Sequence, residues 1–278
     1  GIGFSTVSVQ GNRVLTMGNE NETDTIWCLD AKSGEVIWKH SYACPLDPLY
    51  FEGGPCGTPT LHENRVFTLS RKGHAFCLDL ETGEVIWKRD LLTDHQLELP
   101  EWSFSSSAVI HKNLVIHNAG GAGIALDRKS GKTIWLSNAE AGGYSSAVPF
   151  GDEFLLFSFG EFVSFAPENG KVSWKLDWKS SRGVNAADPI ISGDRFLVSS
   201  ALGSGVYELE NGQPREIWRN KNLRTYFNPG VLIDGHVYVL HGTTHKPTQL
   251  ICLNYDTGET VWSEQGFATG GITADGAG

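Results

Sequence analysis

The chain has 278 residues, with 32 acidic against 22 basic side chains, a net charge of −10 and no stripe of Lys and Arg, so a polyphosphate partner is disfavoured and nucleic acid is not an expected ligand. No apolar run approaches the length of a membrane span, and no transmembrane segment is expected. Thirty-three glycines and nine tryptophans beside only 19% charged residues fit many short strands joined by tight turns, and exclude a mainly helical protein, which needs fewer breakers and more Ala, Leu, Glu and Lys.

Turn residues bracket strand-length runs at about 3–9, 12–17, 25–30 and 35–40, then at about 56–61, 64–69, 74–79 and 84–89. The pattern continues at about 105–110, 113–118, 122–127 and 132–137, and at about 145–150, 153–158, 161–166 and 171–176. Two more groups follow, near 186–191, 194–199, 205–210 and 215–220, and near 228–233, 236–241, 249–254 and 259–264. The fourth run of each group carries a tryptophan: Trp38, Trp87, Trp135, Trp174, Trp218 and Trp262, spaced 49, 48, 39, 44 and 44 residues apart. A period of this size marks a repeat architecture.

Within the unit, Cys77 to Trp87 reads C-L-D-L-E-T-G-E-V-I-W, and Cys28 to Trp38 is a near copy. Asp79 to Gly83 is hairpin-turn chemistry, with the Asp bonding the turn backbone and the Gly accepting a positive φ. The run that follows alternates as a strand and sets Trp87 on one face. One buried indole removes roughly 150–250 Å² from water, worth about 4–6 kcal/mol, and a unit this small needs a neighbour to bury it. Four antiparallel strands per repeat describe the blades of a β-propeller, and the fold class predicted is all-β with six such blades. One domain over 1–278 is expected, with blades at about 3–40, 56–89, 105–137, 145–176, 186–220 and 228–264.

In an up-and-down meander the first-to-second and third-to-fourth turns fall on one face, and the second-to-third turns and inter-blade links on the other. The short turns, such as Gly11-Asn12 and Asp234-Gly235, take the first face. The long segments, among them 41–55, 90–104, 178–185 and 220–227, take the second. A rigid scaffold with variable loops on one side is the usual form of a binding surface. Candidate ligand- or partner-binding residues there are Glu52, Arg71, Trp102, Tyr144, Arg182, Asn185, Arg224 and Tyr226, aromatics and arginines being what interface hot spots use. Packing of loops over one another is the competing role, most directly for Trp102 and Tyr144.

The spacing small-x-Asp-x-x-x-Gly-x-x-x-Trp resembles the tryptophan-docking motif of the PQQ-like β-propeller repeats, a superfamily of quinoprotein alcohol dehydrogenases and BamB-type outer-membrane assembly lipoproteins. Asp30, Gly34 and Trp38 match it, as do Asp79, Gly83 and Trp87, and Asp127, Gly131 and Trp135. Later repeats drift: Ala166 precedes Gly170 and Trp174, Asn254 precedes Gly258 and Trp262, and the fifth moves its glycine to Gly212 before Trp218. The resemblance implies seven or eight blades in an intact protein, so six suggest a fragment and an open arc, and the ends at Gly1 and Gly278 read as cuts. It also implies a periplasmic or cell-envelope location and a non-catalytic scaffold that binds protein or small ligand by its loop face. The enzymatic branch would add pyrroloquinoline quinone and calcium. No adjacent Cys-Cys pair and no matching Asp/Glu/Asn set supports them, so no cofactor is expected. The alternatives are a quinone-dependent dehydrogenase and a carbohydrate or other small-ligand binder.

Cys28, Cys77 and Cys252 occupy the small-residue position that Ala125 and Ser164 take elsewhere, and are expected as separate buried packers. Cys44 and Cys56 share one loop, and their spacing permits a disulfide in an oxidising compartment. His241 and His245 straddle a strand end without the helical spacing that favours metal. Asn118 to Gly123 joins two strands and opens no helix, so it reads as a turn and not as a phosphate loop. Asn21-Glu22-Thr23 fits the glycosylation pattern, and Ser105 to Ser107 lacks an assignable His/Asp pair.

Overall fold

The computed structural model describes residues 1–49, 51–179, 184–242, 248–268 and 270–274. The chain is all-β and its described strands form six four-stranded antiparallel sheets, each in sequential order, as the period predicts. The first holds β1 (Ser8–Gln10), β2 (Arg13–Glu20), β3 (Thr23–Asp30) and β4 (Val36–Ala43), and the second β5 (Thr60–His62), β6 (Arg65–Leu69), β7 (His74–Asp79) and β8 (Val85–Asp90). After helix α1 (Leu91–His95) come β9 (Val109–His111), β10 (Leu114–His117), β11 (Ile124–Asp127) and β12 (Thr133–Leu136), then β13 (Val148–Phe150), β14 (Glu153–Phe157), β15 (Glu161–Phe165) and β16 (Val172–Asp177). The last two sheets hold β17 (Ile190–Ser192), β18 (Arg195–Ser200), β19 (Gly203–Glu210) and β20 (Gln213–Asn220), and β21 (Val231–Ile233), β22 (His236–His241), β23 (Thr248–Asn254) and β24 (Thr260–Phe267). Two compact units divide the chain, the first comprising 1–142 with 167–170 and the second 143–166 with 171–278.

In the first unit Cys28 pairs across from Trp38, Cys77 from Trp87 and Ala125 from Trp135, and the register shifts directly after each small residue. A small side chain leaves room for the indole beside it, and the bulge adds twist to the outgoing hairpin. The turn that follows is closed by the aspartate: Asp79 Oδ1 accepts the backbone N–H of Glu81 and of Thr82, each at 2.9 Å. On the same sheet end, Asn64 of the first turn donates to Asp79 at 2.9 Å, which places both short turns on one side. Each tryptophan then lies over the next turn. Trp38 Nε1 donates to the Leu80 carbonyl at 2.9 Å, Trp87 to Arg128 at 3.0 Å and Trp135 to Pro167 at 2.8 Å. A Cβ on Gly83, Gly131 or Gly170 would lie 2.5–2.7 Å from an indole atom, so glycine is needed for the close approach as well as for the positive φ.

The cores follow from this arrangement. Leu15, Met17, Ile26 and Trp38 pack with Val66, Phe76, Leu78 and Leu80 of the second sheet, and Phe67, Leu69 and Trp87 pack with Val115, Ile124 and Leu126 of the third. In the second unit, Phe157, Phe162 and Trp174 pack with Phe196, Val198 and Tyr207. There Trp218 repeats the first unit's geometry, donating to the Tyr255 carbonyl at 2.8 Å over Gly258. Asn254 replaces the aspartate without loss of the turn, its Oδ1 accepting from Asp256 and Thr257 N–H at 3.0 and 2.9 Å. At Ala166 the turn is closed through the backbone, Ala166 N–H donating to the Lys171 carbonyl at 2.9 Å.

The fifth sheet departs for a reason. Its last hairpin is the two-residue turn Asn211-Gly212, both at positive φ (53° and 74°), which is type I′ chemistry and shorter than the Asp-to-Gly turn. Trp174 is buried, yet its Nε1 finds no acceptor among the described residues. Its ring instead stacks on Phe196 at 5.5 Å and 15°. Trp262 is a correction: expected to be buried like the others, it is 40% exposed.

The first strand of every sheet is three residues long, shorter than the sequence runs suggest. The blades span Ser8–Ala43, Thr60–Asp90, Val109–Leu136, Val148–Asp177, Ile190–Asn220 and Val231–Phe267 instead of the wider starts expected. Residues preceding these strands turn their polar groups to the neighbouring repeat: Phe4 N–H bonds the Pro55 carbonyl at 2.8 Å, and Thr58 N–H bonds Ser107 Oγ at 3.0 Å. The short helix α1 was not expected; Asp90 caps it by accepting Thr93 N–H at 3.1 Å, and its Leu91 is buried. All five cysteines are free thiols, so Cys44 and Cys56 do not pair. Burial pushes the Cys44 thiol up to about 12.

Candidate functional site

The second-to-third turns and the inter-sheet links emerge from the end of each sheet opposite the Asp-to-Gly turns. In the first unit this end is built around Arg71, in the turn between β6 and β7. Arg71 is 1% exposed, and its backbone carbonyl accepts Phe104 N–H at 3.2 Å. Its guanidinium reaches Ser103 Oγ at 3.4 Å, the Gly54 carbonyl at 3.5 Å and Asp47 Oδ2 at 3.8 Å. All three contacts are long, and Nε has no partner among the described residues. The Phe51 ring covers the guanidinium at 5.0 Å and stacks on Trp102 at 6.0 Å, while Phe4 meets Phe51 edge-on at 5.2 Å. Lys72 Nζ holds the same Asp47 Oδ2 at 2.6 Å, and Ser103 Oγ donates to it at 3.3 Å. Lys72 above all holds the Asp47 carboxyl below its ordinary range.

Asp24 is buried at the start of β3, where Asn19 Nδ2 of β2 donates to it at 2.7 Å. Burial raises its pKa, against the lowering effect of that hydrogen bond and others from Cys44 and Tyr42. Of the predicted residues in this unit, the structure brings Arg71 and Trp102 together through Phe51. Glu52 is exposed and enters no ion pair among the described residues. Sequence reasoning missed Asp47, Phe51, Lys72 and Ser103; the signal available was the adjacency of Arg71-Lys72 in a second-to-third turn.

In the second unit two predicted residues turn inward. Tyr144 is buried, beside a Gly143 so enclosed that a Cβ there would lie 1.9 Å from the Phe157 carbonyl. Asn185 is fully buried and donates to the Trp178 carbonyl at 2.9 Å. Asn185 thus holds Trp178, whose Nε1 donates to Ser200 Oγ at 2.8 Å under the Arg219 guanidinium at 4.2 Å. Neither Tyr144 nor Asn185 offers a surface. Arg224 and Tyr226 are half-buried; Arg224 N–H bonds His241 Nδ1 at 3.0 Å and Tyr226 packs on Phe227 at 5.6 Å. Arg182 and His245 lie outside the described residues. Three apolar residues at this end face solvent and were missed: Phe159 in the β14–β15 turn, Leu202 in the β18–β19 turn, and Phe227 in the β20–β21 link are 48%, 39% and 53% exposed. Burial raises Asp188 to about 6, while its Oδ1 accepts Ser146 N–H at 2.7 Å.

Among the described residues no group of three or more His, Cys, Asp and Glu side chains gathers to hold a metal ion, and no helix is long and apolar enough to cross a membrane.

A family model described as "Outer membrane protein assembly factor BamB" matches residues 22–264. Among solved structures, BamB from Moraxella catarrhalis superposes with a TM-score of 0.72 at 15% identity, covering 99% of this chain and 79% of that one. A europium-containing methanol dehydrogenase superposes with 0.65 at 11% identity, over 94% and 68%. The C-terminal WD40 domain of Sif2 gives 0.63 at 11%, over 94% and 71%. At these identities the structural likenesses show the fold alone. No curated protein sequence matches.

Proposed function

The chain belongs to the family of the outer membrane protein assembly factor BamB, and from that premise we propose that it is a scaffold of the bacterial envelope, in the periplasm, that binds a protein partner of outer-membrane assembly through its long-loop end. The observation that carries this reading is the exposure of three apolar residues, Phe159, Leu202 and Phe227, which occupy that end on the second unit's sheets and links. Large apolar side chains in water on rigid turns are an unused hydrophobic contribution until a partner covers them.

The test is binding of a purified outer-membrane assembly component to wild type and to the triple variant Phe159→Ser, Leu202→Ser, Phe227→Ser. The reading expects at least a tenfold loss of affinity with an unchanged circular-dichroism spectrum. Equal binding, or a stoichiometric absorbance change on adding pyrroloquinoline quinone and calcium, would replace it with another of the family's activities.

A further inference from the structure

We propose that Arg71, Lys72 and Ser103 form a carboxylate-binding cradle that Asp47 fills as a stand-in in the free chain, and that an acidic peptide segment of a partner protein displaces Asp47 to occupy it. This rests on the reading that the loop end binds protein. A guanidinium has five N–H donors and demands compensation when removed from water. Arg71 is 1% exposed, yet its best contacts are 3.4 and 3.5 Å, its carboxylate partner stands at 3.8 Å, and Nε has none among the described residues. The site is under-filled. Asp47 reaches it from a surface loop, keeps its carboxylate 39% exposed and satisfies Lys72 better than Arg71, at 2.6 against 3.8 Å.

Asp47 and Ser103 both sit in the left-handed region, at φ 52° and 65°, a conformation that is costly for a non-glycine residue and collects at binding sites. A carboxylate arriving from outside has no such tether, and it finds Phe51 and Trp102 stacked alongside for the apolar part of its side chain. Charge-assisted, forked pairing with Arg is the strongest hydrogen bonding available to a carboxylate.

The probe is an end-capped, fluorescein-labelled peptide of six glutamates, followed by fluorescence anisotropy, with the all-glutamine peptide as reference. Asp47→Ala is expected to tighten hexaglutamate binding at least fivefold, and Lys72→Gln in that background to abolish the gain, while Lys88→Gln on the β8 edge strand leaves it. Arg71→Lys should weaken binding as Lys72→Gln does; if it unfolds, Lys72→Gln alone carries the comparison. Binding indifferent to Asp47→Ala, or lowered equally by Lys88→Gln, would overturn the cradle. Loss of the cradle with assembly-component binding still dependent on Phe159, Leu202 and Phe227 would leave the proposed function standing.

Discussion

The indole of Trp38 lies so close over Gly83 that a Cβ on that glycine would sit 2.6 Å from two ring atoms. Gly34 holds the same place in the first sheet's turn at nearly the same φ, 74° against 75°, but a Cβ there meets nothing within 4 Å. The pair separates two demands on one glycine. Gly34→Ala should cost only the backbone strain, about 1 kcal/mol. Gly83→Ala adds displacement of a buried ring and should cost about 2–4 kcal/mol. Urea denaturation of the two variants reads the difference directly.

The tryptophans themselves should divide in the same way. Trp87→Ala removes a buried ring and its hydrogen bond to Arg128, and is expected to cost about 3–5 kcal/mol. Trp262→Ala, at a ring 40% exposed that packs on Tyr238, should cost clearly less, about 1–2 kcal/mol. Equal losses in denaturation midpoint would count against the packing described for Trp87.

This much was written in the spacing. Asp79, Gly83 and Trp87 each have a local chemical reason to sit where they do, so the turn, the sheet count and the sidedness of the loops were legible without coordinates. Burial of the loop residues was not. Nothing around Tyr144 or Asn185 distinguishes an interior polar anchor from a surface contact, because both depend on links folding back over other segments. Phe159 was equally opaque: in Ser-Phe-Gly-Glu a turn phenylalanine reads the same whether it faces core or water. The exposure of Trp262 reflects what covers it, which its own repeat does not encode.

Two desolvated titratable groups, one buried and one half-buried, predict pH dependences of opposite sign. His117 is 1% exposed with both ring nitrogens unpartnered among the described residues, on the face of β10 whose Val115 packs with Leu91 and Leu97. Burial lowers it from 6.5 to about 4. The unfolded chain then binds a proton that the folded chain refuses, so this contribution is present above about pH 6.5 and lost as pH falls toward 4. The loss approaches about 3 kcal/mol. His117→Leu should remove it, gaining on wild type as the solution is acidified.

Asp188 works the other way. Its folded pKa, raised from 3.8 to about 6 by burial, makes the folded state hold a proton that the unfolded chain has released. That contribution is present below about pH 4 and lost as pH rises through 6, again by about 3 kcal/mol at most. Asp188→Asn keeps an oxygen to accept Ser146 N–H and should gain on wild type between pH 4 and 6.5. Thermal unfolding of each variant beside wild type at pH 4.5 and 7 gives the sign, and parallel shifts at both pH values would remove these groups from the account.

The most direct measurement of the central claim is site-specific photo-crosslinking in the bacterial envelope, with the photoreactive residue placed at Phe227 on the loop end or at Ile86 on the β8 edge strand, which is 42% exposed. The account predicts an adduct to an outer-membrane assembly protein from position 227 and none from 86. The same adduct in equal yield from position 86, or none from 227, would contradict it.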